Sequence, residues 1–110
     1  MREVTIEGTT WKVRSLKRKD LEKLKKYGFT VWGWKPNMKQ IEERIDGKME
    51  KISVPDVENM MKGQEKALKM IFGEKILDEL DDAGGNKAIR EVWRAVRDET
   101  WGNEEEEKNS

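Results

Sequence analysis

Histidine and cysteine are both absent from this chain of 110 residues. Those two side chains supply most general bases near neutral pH, most activated nucleophiles and most transition-metal ligands. Without them, no Ser–His or Cys–His pairing exists, no disulfide forms, and a metal site would need oxygen ligands alone. Proline is scarce too, with two residues, and no apolar run approaches the ~20 residues needed to span a bilayer. Met1 opens no signal peptide, so a cytoplasmic location is the default expectation. Five tryptophans stand against these absences. Large aromatic anchors without catalytic side chains point to a protein that binds rather than one that catalyses, with no cofactor and no metal.

Val, Ile, Leu and Phe number 22 of 110 residues. That fraction is low for a folded domain, but disorder also requires a large net charge. Here 23 basic residues balance 23 acidic ones. The expectation is therefore a folded domain over residues 1–102 with a thin core, one that gains from self-association or from a partner. The charge is uneven along the chain: residues 1–53 hold 14 basic against 8 acidic groups (net +6), and residues 54–110 hold 9 against 15 (net −6). The densest basic run extends from Lys12 to Lys26. It reads as a solvated face or as contact with an acidic partner. Phosphates would also suit it, though the chain lacks the overall basic excess of most nucleic-acid binders.

Local patterns predict an α+β fold that is mostly helical: an N-terminal β-hairpin followed by about four to five short helices and a disordered acidic tail over 103–110. The β-prone runs Val4–Ile6 and Thr9–Val13 flank Glu7-Gly8, a natural tight turn. Leu16, Leu21, Leu24 and Tyr27 share one rough helical face, closed by Gly28. Asn37 is read as the cap of a short helix carrying Met38, Ile41 and Ile45, ending at Gly47. After an extended run from Met49 to Val54, a longer helix enters at Pro55-Asp56 and stops at Gly73. Its expected apolar stripe is Val57, Met60, Met61, Gln64, Leu68 and Ile71. Gly63 within it either weakens the helix or admits another element closely. Glu74–Leu80 forms a further helix, Asp81–Gly85 a turn, and Asn86 caps a last helix striped by Ile89, Val92, Trp93 and Val96.

Candidate binding residues come from two places. In Phe29–Pro36, an extended backbone would point Trp32 and Trp34 the same way, either closing the core or forming an exposed aromatic platform. On the Pro55–Phe72 helix, Met60, Met61, Leu68 and Ile71 form a stripe that suits core packing or a groove for a partner helix, since methionine adapts to varied apolar shapes. Other clusters have simpler readings. Asp78, Glu79, Asp81 and Asp82 lack the ligand spacing of a calcium loop. Gly84-Gly85-Asn86 is sufficient as a turn and cap, and Glu42-Glu43 as solvated charge.

The segment Val13-Arg14-Ser15-Leu16-Lys17-Arg18-Lys19-Asp20-Leu21 after the hairpin, with Ile71-Phe72-Gly73-Glu74-Lys75-Ile76-Leu77 and Ala88-Ile89-Arg90-Glu91-Val92-Trp93, resembles the tail assembly chaperones of long-tailed bacteriophages. The likeness covers most of residues 3–102. It implies a non-enzymatic role in the host cytoplasm: binding the helical tape measure protein and keeping it soluble until tail tube protein polymerises around it. It also implies a second, frameshifted product, for which the Glu104–Lys108 codons offer a purine-rich site. The Trp32-Gly33-Trp34 segment has no counterpart in that pattern. Two other readings stand beside this one: a small nucleic-acid-binding regulator using residues 12–26, and a structural connector or completion protein of a phage.

Overall fold

A computed structural model describes residues 2–102; the expected tail at 103–110 lies outside the described residues. Strand β1 (Arg2–Ile6) pairs antiparallel with β2 (Thr9–Val13), with Ile6 opposite Thr9. Glu7 and Gly8 both have positive φ, 49° and 83°, which is how a two-residue turn matches the right-handed twist of its strands. Alternation then selects the buried side. Trp11 and Val13 are buried, Val4 and Ile6 are half-buried against them, and the intervening residues are exposed.

Helix α1 (Arg18–Lys23) is short and passes through Leu24 into a 3₁₀ turn over Lys25–Tyr27. The Asp20 carboxylate reaches back to accept the Lys17 N–H at 2.9 Å and also accepts from Arg14 Nη1 at 3.1 Å. Burial alone would raise the Asp20 pKa. The Lys17 N–H, the Arg14 hydrogen bond and the charges of Arg14 and Lys17 outweigh it and hold the carboxyl below its ordinary value. Arg14 Nη2 also donates to the Met70 carbonyl at 3.3 Å, a favourable place for a cation near a helix C-terminus. One guanidinium thus ties β2 to α1 and to the next long helix.

The largest departure from expectation is the segment read as a helix over Asn37–Gly47. It is strand β3 (Met38–Ile45), paired in antiparallel register with β4 (Lys48–Pro55) through a turn at Asp46-Gly47. Both turn residues have positive φ, 51° and 79°, repeating the geometry of the first hairpin. The error has a physical origin. A spacing of four places Ile41 and Ile45 on one face of a helix, and equally on one face of a strand. All of β3 is exposed, and in β4 only Ile52 and Val54 are half-buried. The hairpin stands off the body, fixed at its base where Asn37 Nδ2 donates to the Lys26 carbonyl and to Asn59 Oδ1, and Asp56 N–H to the Asn37 carbonyl. The radius of gyration, 16.6 Å, accordingly exceeds the ~13 Å of a compact domain this size.

Helix α2 (Val57–Phe72) begins at an Asp56 cap, whose carboxylate accepts the Asn59 N–H at 3.2 Å, and ends at Gly73 with φ of 100°. Its buried face overlaps the predicted stripe only in part: Leu68 is buried and Met60, Gln64 and Ile71 are half-buried. Gly63 and Ala67 are buried too, whereas Val57 and Met61 face outward. The small residues sit where the chain after α1 crosses. A Cβ at Gly63 would lie 2.6 Å from Tyr27 Cβ and 2.8 Å from Phe29 Cε2. Gly63→Ala should therefore lose stability despite the ~1 kcal/mol that alanine gains in helix propensity. Overpacking costs about 1–3 kcal/mol, and here the obstacle includes the rooted Tyr27 Cβ rather than a loose side-chain end. A lower urea midpoint for the alanine variant is the expected result; a higher one would mean the contact is slack.

Helix α3 (Ile76–Trp101) replaces the last two predicted helices. The expected turn survives as a kink, with non-helical torsions at Gly84 and Gly85. At Gly84 a Cβ would come within 3.3 Å of both Ile6 Cγ2 and Ala88 Cβ, so the kink is where β1 presses on the helix. Among the described residues the fold is α+β with two hairpins and three helices, not one hairpin and four to five helices. Buried side chains of β2, α1, α2 and α3 and of the segment Leu24–Phe29 form one core. Among the described residues, no helix is long and apolar enough to cross a membrane.

Candidate partner-binding surface

The segment after Gly28 folds back on itself instead of extending. Phe29 and Trp34 form an isolated antiparallel bridge, and Lys35 N–H donates to the Gly28 carbonyl at 2.9 Å. Inside that loop Thr30 closes a tight turn. Its N–H and hydroxyl both donate to the Gly33 carbonyl, while its Oγ1 accepts the N–H groups of Trp32 and Gly33. Trp101 Nε1 donates to the Thr30 carbonyl at 2.8 Å, locking the turn to the end of α3.

This reversal separates the two tryptophans expected on one face. Trp34 turns inward, half-buried, with Nε1 donating to the Tyr27 carbonyl at 2.9 Å. It stacks on Phe29 (centroids 4.9 Å apart, planes at 13°) and meets Trp93 edge-on at 5.3 Å. Phe29 also stacks on Trp101 at 5.6 Å and contacts Trp93 edge-on at 5.8 Å. Offset and edge-to-face geometries of this kind suit the ring quadrupoles. Trp32 points the other way and is 89% exposed, with Val31 beside it also exposed.

Beside the turn lies a shallow depression of about 280 Å³, lined by Leu21, Phe29, Thr30 and Val31 together with Arg18, Glu22 and Lys25. A second, of about 490 Å³, is lined by Met61, Gln64, Ile89 and Arg90 where α2 faces the second half of α3. The predicted binding residues therefore divide. Trp32 and Met61 are displayed, Met60, Ile71 and Trp34 are half-buried, and Leu68 is fully buried in the core. Sequence reasoning missed Val31 as a neighbour of Trp32, and missed the apolar side chains of the second hairpin. The Asp46-Gly47 dipeptide was the available signal for that hairpin.

The acidic residues Asp78, Glu79, Asp81 and Asp82 are exposed along α3. Among the described residues, no group of three or more acidic side chains is placed to hold a metal ion. No family model, curated protein or solved structure matches this chain.

Proposed function

We propose that the protein is a non-catalytic binding protein that acts as a tail assembly chaperone of a long-tailed bacteriophage, shielding apolar helical stretches of the tape measure protein in the cytoplasm. The observation that carries the binding role is the display of Trp32. A tryptophan left almost wholly in water is unusual in itself. Here it also sits on a turn braced by four hydrogen bonds to and from Thr30 and by the Trp101 indole. A rigid aromatic anchor loses little entropy on binding, and such residues dominate interface energies. Val31 and the adjoining depression add apolar surface, while Arg18 and Lys25, outnumbering Glu22 there, favour a partner with acidic groups flanking its apolar stripe. The phage reading rests on the resemblance of residues 13–21, 71–77 and 88–93 to that family.

The chaperone reading expects a long helical protein to be encoded beside this gene, and the test is co-expression with it. The same reading expects the wild-type chain to hold that protein in solution and to co-purify with it. Trp32→Ala should weaken binding by about tenfold or more, with an unchanged melting temperature because the side chain packs on nothing. Equal binding by the variant would discard Trp32 as the anchor. A helical partner that stays soluble without this chain would discard the chaperone role. Loss of the complex governed only by salt, with capture of DNA or RNA instead, would favour the nucleic-acid reading.

A further inference from the structure

The second hairpin carries a face that its own fold leaves open. In the β3–β4 register, Ile41 lies opposite Ile52, Lys39 opposite Val54, Glu43 opposite Glu50 and Ile45 opposite Lys48. Directly opposed residues share a side of an antiparallel pair. One face therefore runs, from base to tip, through a Lys39/Val54 row, an Ile41/Ile52 row, a Glu43/Glu50 row and an Ile45/Lys48 row. Ile41 and Ile45 are 37% and 39% exposed. The opposite face carries Met38, Gln40, Glu42 and Arg44 with their partners, where Glu42 faces Lys51.

Two features of this face call for a complement. The aliphatic row Ile41/Ile52 lies in the middle of a two-stranded sheet, and such a sheet is marginal in water without something packed on it. The Glu43/Glu50 row places like charges directly opposite each other, which is unfavourable. Among the described residues, neither glutamate makes an ion pair.

We infer that the occupant of this face is the same face of a second copy of the chain, packed across a two-fold axis at the Ile41/Ile52 row. The charge pattern selects that occupant. A two-fold axis in the interface and perpendicular to the strands lays β3 on β3 and β4 on β4 with their directions reversed. Ile41 then meets Ile41 and Ile52 meets Ile52. Lys39 of each copy faces Glu43 of the other, and Glu50 faces Val54. Within the unfavourable acidic row, Glu43 thus gains a facing cation from the second copy, twice over by symmetry. Sheets packed this way lie ~10 Å apart with a modest crossing angle. The face measures about 27 by 10 Å. That is roughly 270 Å² per copy, well below the ~800 Å² per partner of a standard interface, so the dimer is weak and concentration-dependent. The Trp32 turn belongs to a different part of the chain, and dimerisation does not rest on the proposed function.

Charge exchange tests the arrangement. Sedimentation equilibrium of the full chain from about 5 to 500 µM should show a monomer–dimer equilibrium with a dissociation constant on the order of tens of micromolar. K39E alone and E43K alone should each weaken the dimer about tenfold or more, because both symmetry-related 39–43 pairs become like-charged. An equimolar mixture of the two variants should dimerise again, and so should the double variant K39E/E43K, since both restore opposite charges across the axis. Circular dichroism confirms that each variant keeps its helices. A wild-type chain that stays monomeric throughout overturns the inference. So do single variants that dimerise like wild type, or a mixture and double variant that stay monomeric. Trp32→Ala should leave the dimer intact and K39E should leave partner capture intact, which separates failure here from failure of the chaperone reading.

Discussion

Phe29→Ala should destabilise the fold by about 3–5 kcal/mol, the usual cost of removing a buried aromatic ring. Phe29 is 1% exposed and touches three of the five tryptophans. Deleting the ring removes its transfer free energy, leaves a cavity, and forfeits aromatic contacts that contribute about 0.5–1.5 kcal/mol each beyond burial. The surroundings have little freedom to collapse. Trp34 and Trp101 are held through their indole nitrogens by the Tyr27 and Thr30 carbonyls. With total stability of about 5–15 kcal/mol expected for a domain, and a core this poor in aliphatic residues, the variant should be partly unfolded at room temperature. Urea titration followed by tryptophan emission reads both stability and environment. Phe29→Leu should fall between wild type and alanine. A loss below about 1 kcal/mol for alanine would mean that the stack is not the centre of the core.

That stack also shows how far the sequence could be read. Leu16, Leu21, Leu24 and Tyr27 were legible as one buried face because helical spacing and the Gly28 stop agree. The stripe of the last helix was legible for the same reason, with Val92, Trp93 and Val96 all buried. The extended run Met49–Val54 is part of β4 as expected, but the segment from Phe29 to Gly47 was not legible. In the first part of it, Trp32 and Trp34 were assigned a common side by assuming an extended backbone. The four hydrogen bonds around Thr30 reverse the chain between them, and nothing in a two-residue alternation encodes those bonds. In the second part, Glu42-Glu43-Arg44 are helix-forming residues lying between isoleucines four apart. Local propensity and spacing both permitted a helix, and the Asp46-Gly47 turn decided for a hairpin.

Along α2 the failure was one of rotation. Hydrophobicity pointed to Val57 and Met61 as well as to the buried Leu68, but the tightest approach is made at Gly63, and Ala67 is buried too. A pattern that counts apolar side chains undervalues glycine and alanine, which let another segment approach the helix backbone. The candidate surface inherited that error. Of the six residues named from sequence, Trp32 and Met61 are displayed, and Leu68 is part of the core that holds the display in place.

Gly28→Ala should be comparably damaging, and for a different reason from the ring deletion. Gly28 has φ of +90° and ψ of 8°, a left-handed conformation that strains an alanine by roughly 1–2 kcal/mol. Strain is the smaller part. A Cβ at this position would lie 1.9 Å from the Lys35 carbonyl oxygen and 2.8 Å from its carbon, and backbone cannot swing aside as a side-chain tip does. Lys35 must move away, which breaks its hydrogen bond to the Gly28 carbonyl and costs about another 1 kcal/mol. Trp34 is drawn off Phe29 in the same movement, so the expected total is about 3 kcal/mol or more. Gly8→Ala is the matched control. Its φ is +83°, yet nothing lies within 4 Å of a Cβ there, so it should lose only the conformational part. The Trp32 turn hangs between Gly28 and Lys35, so Gly28→Ala should also weaken partner capture. Gly8→Ala should leave capture unchanged. Equal destabilisation by the two substitutions, measured as urea midpoints, would show that the Gly28–Lys35 approach does not hold the loop closed.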